Sequence, residues 1–145
     1  KYNFVVLQEQ STLPVKNPKR THENIKLFDE AIKKSGAKTA LYLTWARQNA
    51  PETQQIISET YNSVGAEIGA KIIPVGIAWQ DFLVRHKQPI LHDKDLSHPT
   101  IAGSYLAACV FFVAFFKENP VGISSEIKGL NDAEILQATA WEIAQ

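Results

Sequence analysis

The sequence predicts an α/β fold built on a parallel β-sheet. Short apolar runs alternate with longer amphipathic segments in the order strand, helix, strand, helix, strand, helix. Strands that alternate with helices favour a parallel sheet with right-handed crossovers. The three apolar runs are almost uninterrupted by polar residues, which is typical of strands that helices cover on both faces.

The predicted strands are rich in β-branched and aromatic residues and cover residues 3–7, 39–44 and 71–75. In open α/β sheets, ligands bind beyond the carboxyl ends of the strands. We therefore expect a functional site in the loops that follow the strands. These loops cover residues 8–14, 45–50 and 76–79.

The helices carry start and stop signals. Asn17 before Pro18 predicts the start of the first helix, and Gly36 predicts its end. Pro51 and Gly69 bound the second helix in the same way. The apolar residues that recur at helical spacing in the first helix are Ile25, Phe28 and Ile32.

After residue 91 a polar loop leads into an apolar helix that begins at Pro99–Thr100 and runs to about Lys117. Its apolar stretch, residues 105–116, is shorter than the roughly 20 residues that span a bilayer, which predicts a buried core helix. Asn131 with Glu134 resembles a capping box at the start of a last helix.

Composition predicts a single domain over residues 1–145, with 45% hydrophobic and 21% charged residues. The formal net charge of zero indicates no electrostatic attraction to nucleic acid or to an anionic membrane, and we expect neither as a partner. Cys109 is the one cysteine, and its apolar surroundings predict a buried, unreactive thiol.

The segment Asp-Leu-Ser-His at residues 95–98 places a carboxylate and an imidazole three residues apart. In serine hydrolases the imidazole takes the proton of the serine hydroxyl, and the carboxylate fixes the ring tautomer. On spacing alone, a solvated loop with Asp95 near a helix N-terminus is the commoner explanation. The neighbouring His86, His92 and Asp93 lack the spacing of structural zinc sites, and we expect no metal or cofactor.

The wider context of this pair is more specific. Residues 95–112 combine Asp-x-x-His with a proline, a Gly-Ser-Tyr helix start and an apolar helix. This combination resembles the last conserved block of SGNH-type (GDSL-like) serine ester hydrolases. Residues 5–11 resemble the third block of that family, and residues 42–47 and 73–79 resemble the next two strand ends of a bacterial subgroup. The resemblance covers roughly residues 3–122.

The resemblance implies a three-layer, flavodoxin-like α/β/α fold and ester hydrolysis by a Ser-His-Asp triad. His98 would be the general base and Asp95 its orienting partner. The third block normally supplies an asparagine amide to the oxyanion hole, and the matching residue here is Gln10. Gln8 stands where the family has a glycine, and its amide is a second candidate. Ordinary loop polarity is the alternative for both glutamines.

Four side chains at or near the strand ends are candidates for a substrate pocket: Glu9, Trp45, Arg47 and Trp79. Arg47 would either bind a carboxylate or pair with Glu9. The two tryptophans would either stack on a sugar or pack in the core.

The family's nucleophile lies in a Gly-Asp-Ser or Gly-Asn-Ser motif, which does not occur here. Ser11, Ser97 and Ser104 lack that context. We therefore expect an N-terminally incomplete domain that is unstable and inactive alone. In the resembled fold the missing strand lies beside residues 3–7. That exposed edge should pair with the missing N-terminal segment or with a second chain.

The leading hypothesis is an esterase that removes a small acyl group, such as acetyl, from a small-molecule or carbohydrate ester. The alternative from another class is a non-catalytic α/β module that binds a small molecule or carbohydrate. A phosphate- or nucleotide-binding domain is disfavoured, because no glycine-rich phosphate loop follows a strand. The sequence favours neither a cytoplasmic nor a secreted location.

Overall fold

A computed structural model describes residues 1–145 as a parallel three-stranded sheet with helices on both faces. The strands are β1 (Phe4–Leu7), β2 (Lys38–Tyr42) and β3 (Lys71–Ile73), and they pair in the order β1-β2-β3. The predicted α/β class and the parallel sheet are confirmed, and all three predicted strands are present. Two of them end earlier than predicted, because β2 stops at Tyr42 and Val75 already lies in the helix that follows β3. The helices are α1 (Leu13–Lys16), α2 (Pro18–Lys34), α3 (Gln54–Ile68), α4 (Val75–Arg85), α5 (Ile101–Phe116) and α6 (Ala133–Ala144), with a 3₁₀ turn at Pro51–Thr53.

Two hydrophobic cores lie on opposite faces of the sheet and produce three layers. Successive side chains of a strand point to opposite faces. Accordingly, Ala40 of β2 packs into the core formed with α4, α5 and α6, whereas Leu41 packs into the core formed with α2 and α3. Both side chains are fully buried. The central strand is therefore covered on both faces, as its apolar sequence predicts.

Helix boundaries follow the predicted signals in most places. The Asn17 side chain caps α2 by accepting a hydrogen bond from the backbone N–H of Arg20. Gly69 ends α3 in the left-handed conformation, with φ of +68°. The Thr100 hydroxyl caps α5 by accepting from the backbone N–H of Gly103. Cys109 is buried and unpaired, as predicted.

Two predicted loops contain helix. Residues 8–14 include the start of the short helix α1, and residues 76–79 lie inside α4. The predicted capping box before α6 is also wrong. The N-cap residue is Asp132, whose φ is +54° and whose side chain makes no capping hydrogen bond.

The core face of α2 differs from the predicted one at a single position. Phe28 is 61% exposed, whereas the adjacent Asp29 is buried. Asp29 accepts a hydrogen bond from the hydroxyl of Thr39 on β2, at 2.6 Å, and pairs with Lys33. A buried carboxylate is tolerated where it is both paired and hydrogen-bonded.

One edge of the sheet is formed by β1, which pairs only with β2. Its residues are half-buried or exposed, and Val6 is 40% exposed. An open strand edge presents unpaired backbone donors and acceptors to its surroundings. None of the helices combines the length and apolar composition needed to cross a bilayer.

Candidate active site

Asp95 and His98 form a hydrogen-bonded turn just before α5. One carboxylate oxygen of Asp95 accepts the backbone N–H groups of Ser97, at 3.0 Å, and of His98, at 2.9 Å. The other oxygen accepts a hydrogen bond from Nδ1 of His98. Leu96 lies between them in the left-handed conformation, with φ of +62°, which lets the chain reverse within four residues.

These hydrogen bonds keep the Asp95 carboxyl ionised. The side-chain hydrogen bond from His98, followed by the two backbone N–H bonds, holds the pKa of Asp95 well below its usual range. Because the ionised carboxylate only accepts hydrogen bonds, Nδ1 of His98 must carry a proton. In the neutral ring the lone pair is then on Nε2, which is the tautomer that a general base requires. The His98 side chain is 79% exposed.

The turn is attached to the rest of the molecule by backbone bonds at its base. Asp93 N–H donates to the carbonyl of His98, and Thr100 N–H donates to the carbonyl of Leu91, each at 2.8 Å. Two bonds also tie it to the loop after β2. Gln48 N–H donates to the carbonyl of Leu96, and Trp45 Nε1 donates to the carbonyl of Ser97, each at 2.9 Å.

A cavity of about 490 Å³ opens beside His98 at the carboxyl ends of β1 and β2. The loop location agrees with the rule for ligand sites in parallel sheets. The cavity brings six of the eight predicted site residues together with other side chains. Its lining residues are Gln8, Glu9, Gln10, Ser11, Tyr42, Thr44, Trp45, Arg47, Ser97, His98 and Pro99.

The amide of Gln10 has a fixed orientation. Its Oε1 accepts hydrogen bonds from the backbone N–H and the hydroxyl of Thr12, each at 2.9 Å, and from Leu13 N–H at 3.1 Å. The amide nitrogen is therefore the end left for other partners, and it lies 3.5 Å from the hydroxyl of Ser11. The Gln8 side chain is exposed and lines the same cavity without a hydrogen bond of its own.

Glu9 supports the loop after β1. Its carboxylate accepts hydrogen bonds from Gln10 N–H at 2.8 Å and from Asn24 Nδ2 at 3.0 Å, one at each oxygen. Its own backbone N–H donates to the hydroxyl of Tyr61 at 3.0 Å. Arg47 forms no ion pair with Glu9 or with any other acid. The structure therefore shows no ion pair between Arg47 and Glu9, and the binding of a carboxylate by Arg47 stays a prediction.

The two tryptophans stack on each other. Their ring centroids are 4.0 Å apart and their planes differ by 6°. Trp79 is only 1% exposed and belongs to the core, so its ring faces are closed to a sugar. Trp45 is half-buried and lines the cavity beside His98. Trp79 lines a second cavity of about 240 Å³ instead, together with Arg47 and His92.

His92 is a buried structural residue. Its Nε2 lies 3.0 Å from the carbonyl of Ala46, and its ring packs edge-on against Trp79. No three His, Cys, Asp or Glu side chains are grouped so that they would hold a metal ion.

Tyr42 also lines the cavity beside His98, and it was not among the site residues predicted from the sequence. Its ring packs edge-to-face against Phe111 of α5, with centroids 4.9 Å apart. Burial raises the pKa of its hydroxyl to about 12, so the hydroxyl stays protonated and can donate a hydrogen bond at neutral pH. The signal available in the sequence was its place near the carboxyl end of the strand predicted over residues 39–44.

Comparison with known proteins gives the fold a family context. No family model and no curated protein matches the chain. A proposed SGNH hydrolase from Slackia heliotrinireducens aligns with 76% of this chain and 64% of its own, with a TM-score of 0.67 and 26% identity. The chain has the SGNH-hydrolase fold. A DUF4886 family protein from Bacteroides uniformis ATCC 8492 aligns with 97% of this chain and 61% of its own, with a TM-score of 0.72 and 20% identity.

The resemblance to SGNH hydrolases that was inferred over roughly residues 3–122 is therefore confirmed at the level of the fold. The chain spans less than two thirds of the length of either neighbour.

Proposed function

We propose that this chain carries the Asp–His part of the catalytic triad of an SGNH-type ester hydrolase. The observation that carries the proposal is the hydrogen bond from Nδ1 of His98 to the ionised Asp95, beside a cavity at the strand ends. The SGNH-hydrolase fold supports it, because the Slackia heliotrinireducens neighbour is described as a proposed hydrolase of that type.

In the proposed reaction, Nε2 of His98 takes the proton of a serine hydroxyl as the serine oxygen attacks the ester carbonyl carbon. Asp95 holds the ring tautomer and stabilises the imidazolium that forms. The imidazolium returns the proton to the departing alcohol, which leaves an acyl-serine. Water then attacks the acyl-serine by the same proton transfers. Gln10 Nε2, with Gln8 as second candidate, would donate to the oxyanion.

The serine is proposed to come from a polypeptide segment that pairs with the open edge of β1. This edge leads into residues 8–11 of the cavity, and Val6 on it is 40% exposed. A preceding segment of the protein or a second chain would supply both the strand and the serine. The chain alone would then be inactive. The one alternative on a strand-end loop of this chain is Ser11, which lines the cavity.

The proposed substrate is an ester with a small acyl group, such as acetyl, on a small molecule or a carbohydrate. A cavity of about 490 Å³ lies within the range of small-molecule sites. Most of its lining side chains carry a polar group that would bind hydroxyls. These groups come from the glutamines, serines, Glu9, Tyr42, Thr44 and Arg47.

The test is hydrolysis of 4-nitrophenyl acetate by the full-length protein. His98→Ala and Asp95→Asn should each lower kcat by about 10³-fold or more, because removing either one disables the nucleophile. His86→Ala is the matched control, since His86 packs on Phe82 away from the cavity, and it should keep activity within about threefold.

Equal activity in wild type and His98→Ala, or none in either, would overturn the esterase proposal in favour of a non-catalytic binding module. Ser11→Ala locates the nucleophile. Retained activity in this variant places the serine in another segment, whereas loss comparable to that of His98→Ala places it at Ser11.

A further inference from the structure

Arg47 is a cation without an internal partner at the candidate active site. Its side chain is exposed and lines the same cavity as His98. The ion pairs of the structure join other residues, and none involves Arg47. An exposed arginine often has no partner, so its position and its surroundings must decide whether it has a role.

The backbone on both sides of Arg47 is fixed by hydrogen bonds. Gln54 Oε1 accepts the N–H of Ala46 at 2.7 Å, and His92 Nε2 lies 3.0 Å from the carbonyl of Ala46. Gln48 N–H donates to the carbonyl of Leu96 at 2.9 Å, within the turn that carries His98. Two parts of the fold therefore hold the backbone around Arg47. They are helix α3, through Gln54, and the loop that carries the proposed catalytic pair, through His92 and Leu96.

No carboxylate of the structure forms an ion pair with the guanidinium of Arg47. Glu9 is the one carboxylate that lines the cavity, and both of its oxygens accept hydrogen bonds from other groups. Asp95 is committed to His98. An adjoining cavity of about 180 Å³ shares Ser11 and Arg47 and is also lined by Lys16, which forms no ion pair. The guanidinium is therefore left without a bound acid, and Lys16 adds a second positive charge in the adjoining cavity.

We infer that Arg47 determines substrate specificity by binding a carboxylate that the substrate carries close to its ester bond. This inference rests on the proposed esterase function and adds the class of ester. The planar guanidinium binds a carboxylate through two parallel hydrogen bonds, and its charge does not depend on pH in the working range. The carboxylate belongs either to the alcohol or to the acyl part of the substrate, and the experiment separates the two.

The experiment compares charged and neutral esters of matched shape with the full-length protein. For the alcohol side, the pair is 4-acetoxybenzoate and 4-acetoxybenzamide. For the acyl side, the pair is mono-4-nitrophenyl succinate and its methyl ester. Wild type should favour the charged member of one pair by about 10- to 100-fold in kcat/KM, as expected for a charge-assisted bidentate contact.

Variants show whether Arg47 causes the preference for the charged ester. Arg47→Gln should bring the ratio of charged to neutral kcat/KM to within about threefold of one, mainly through KM, and Arg47→Lys should give an intermediate ratio. Arg20→Gln is the matched control, since Arg20 is an exposed arginine of α2 that also lacks an ion pair. It should leave both the ratio and the basal activity unchanged.

A wild-type ratio near one for both pairs, or an unchanged ratio in Arg47→Gln, would overturn the inference. The esterase proposal would still stand if hydrolysis of the neutral esters required His98. If no ester is hydrolysed, the esterase proposal fails and binding decides the role of Arg47. Calorimetric titration with 4-hydroxybenzoate should then show about tenfold weaker binding in Arg47→Gln than in wild type, and equal binding would overturn the inference.

Discussion

Replacing Gln54 with alanine should destabilise the protein strongly, because this side chain forms hydrogen bonds with the backbone of the loop after β2. Gln54 is 2% exposed, and its Oε1 accepts the N–H of Ala46 at 2.7 Å. Its Nε2 donates to the carbonyl of Thr44 at 3.1 Å. Ala46 and Thr44 are themselves buried. One amide therefore satisfies two buried backbone groups that have opposite hydrogen-bonding character.

The magnitude follows from those two groups. A buried donor or acceptor left without a partner costs about 1–3 kcal/mol, so two of them cost about 2–6 kcal/mol. The cavity that Gln54 and Ala46 line would admit water to the vacated position, which favours the lower half of that range. We therefore expect the free energy of unfolding to fall by about 2–4 kcal/mol.

Urea unfolding of the full-length protein, followed by tryptophan fluorescence, measures the change, since Trp45 is on the affected loop. Gln55→Ala is the matched control. Gln55 is exposed on the same helix and donates to Glu59 at 2.9 Å, so its loss should cost less than about 0.5 kcal/mol. A Gln54→Ala variant within about 1 kcal/mol of this control would refute the account of the loop.

Three further predictions concern individual residues. The folded-state pKa of Asp95 lies below its unfolded value of about 3.9, so the contribution of the Asp95–His98 pair to stability is present above about pH 4 and is lost as the pH falls through the folded pKa. A carboxyl carbon NMR titration midpoint at or above pH 4 would contradict this. In thermal unfolding, Gly103→Ala should lower the free energy of unfolding by about 2 kcal/mol or more, because the added Cβ would lie 2.5 Å from the Leu91 carbonyl. Ser104→Ala, at the neighbouring exposed position, should change it by less than about 0.5 kcal/mol. Burial raises the pKa of the Cys109 thiol to about 11. A disulfide reagent at pH 8 should therefore modify this thiol rapidly only in denaturant. Rapid modification of the native protein would contradict this prediction and show that the thiol is accessible.

Features that depend on neighbouring residues were predictable from the sequence. The Asp95–His98 turn is such a feature, because its hydrogen bonds join groups within four residues. The parallel sheet was equally predictable, since apolar strands between helices leave few alternatives. The glycine and asparagine signals at the ends of α2 and α3 also act locally.

Features that depend on distant partners were not predictable. Asp29 replaces Phe28 on the core side of α2 because Thr39, on the next strand, donates a hydrogen bond to it. The stacking of Trp79 on Trp45 joins two elements that are 34 residues apart in the chain. Helical spacing and strand order carry no information about either contact. For the same reason, the sequence left open whether Arg47 pairs with Glu9.

The hydrogen bonds of the Asp95–His98 turn are formed within the turn, whereas the open edge of β1 has backbone groups that only another segment can pair. On the proposed mechanism, these two features separate the machinery for proton transfer from the supply of the nucleophile. Fraying of the sheet at β1 would displace the serine while the base kept its tautomer and its hydrogen bonds. Activity would then be controlled by completion of the sheet, and a variant that weakens the β1 edge would lower the fraction of active molecules without changing the pH dependence of those that remain active.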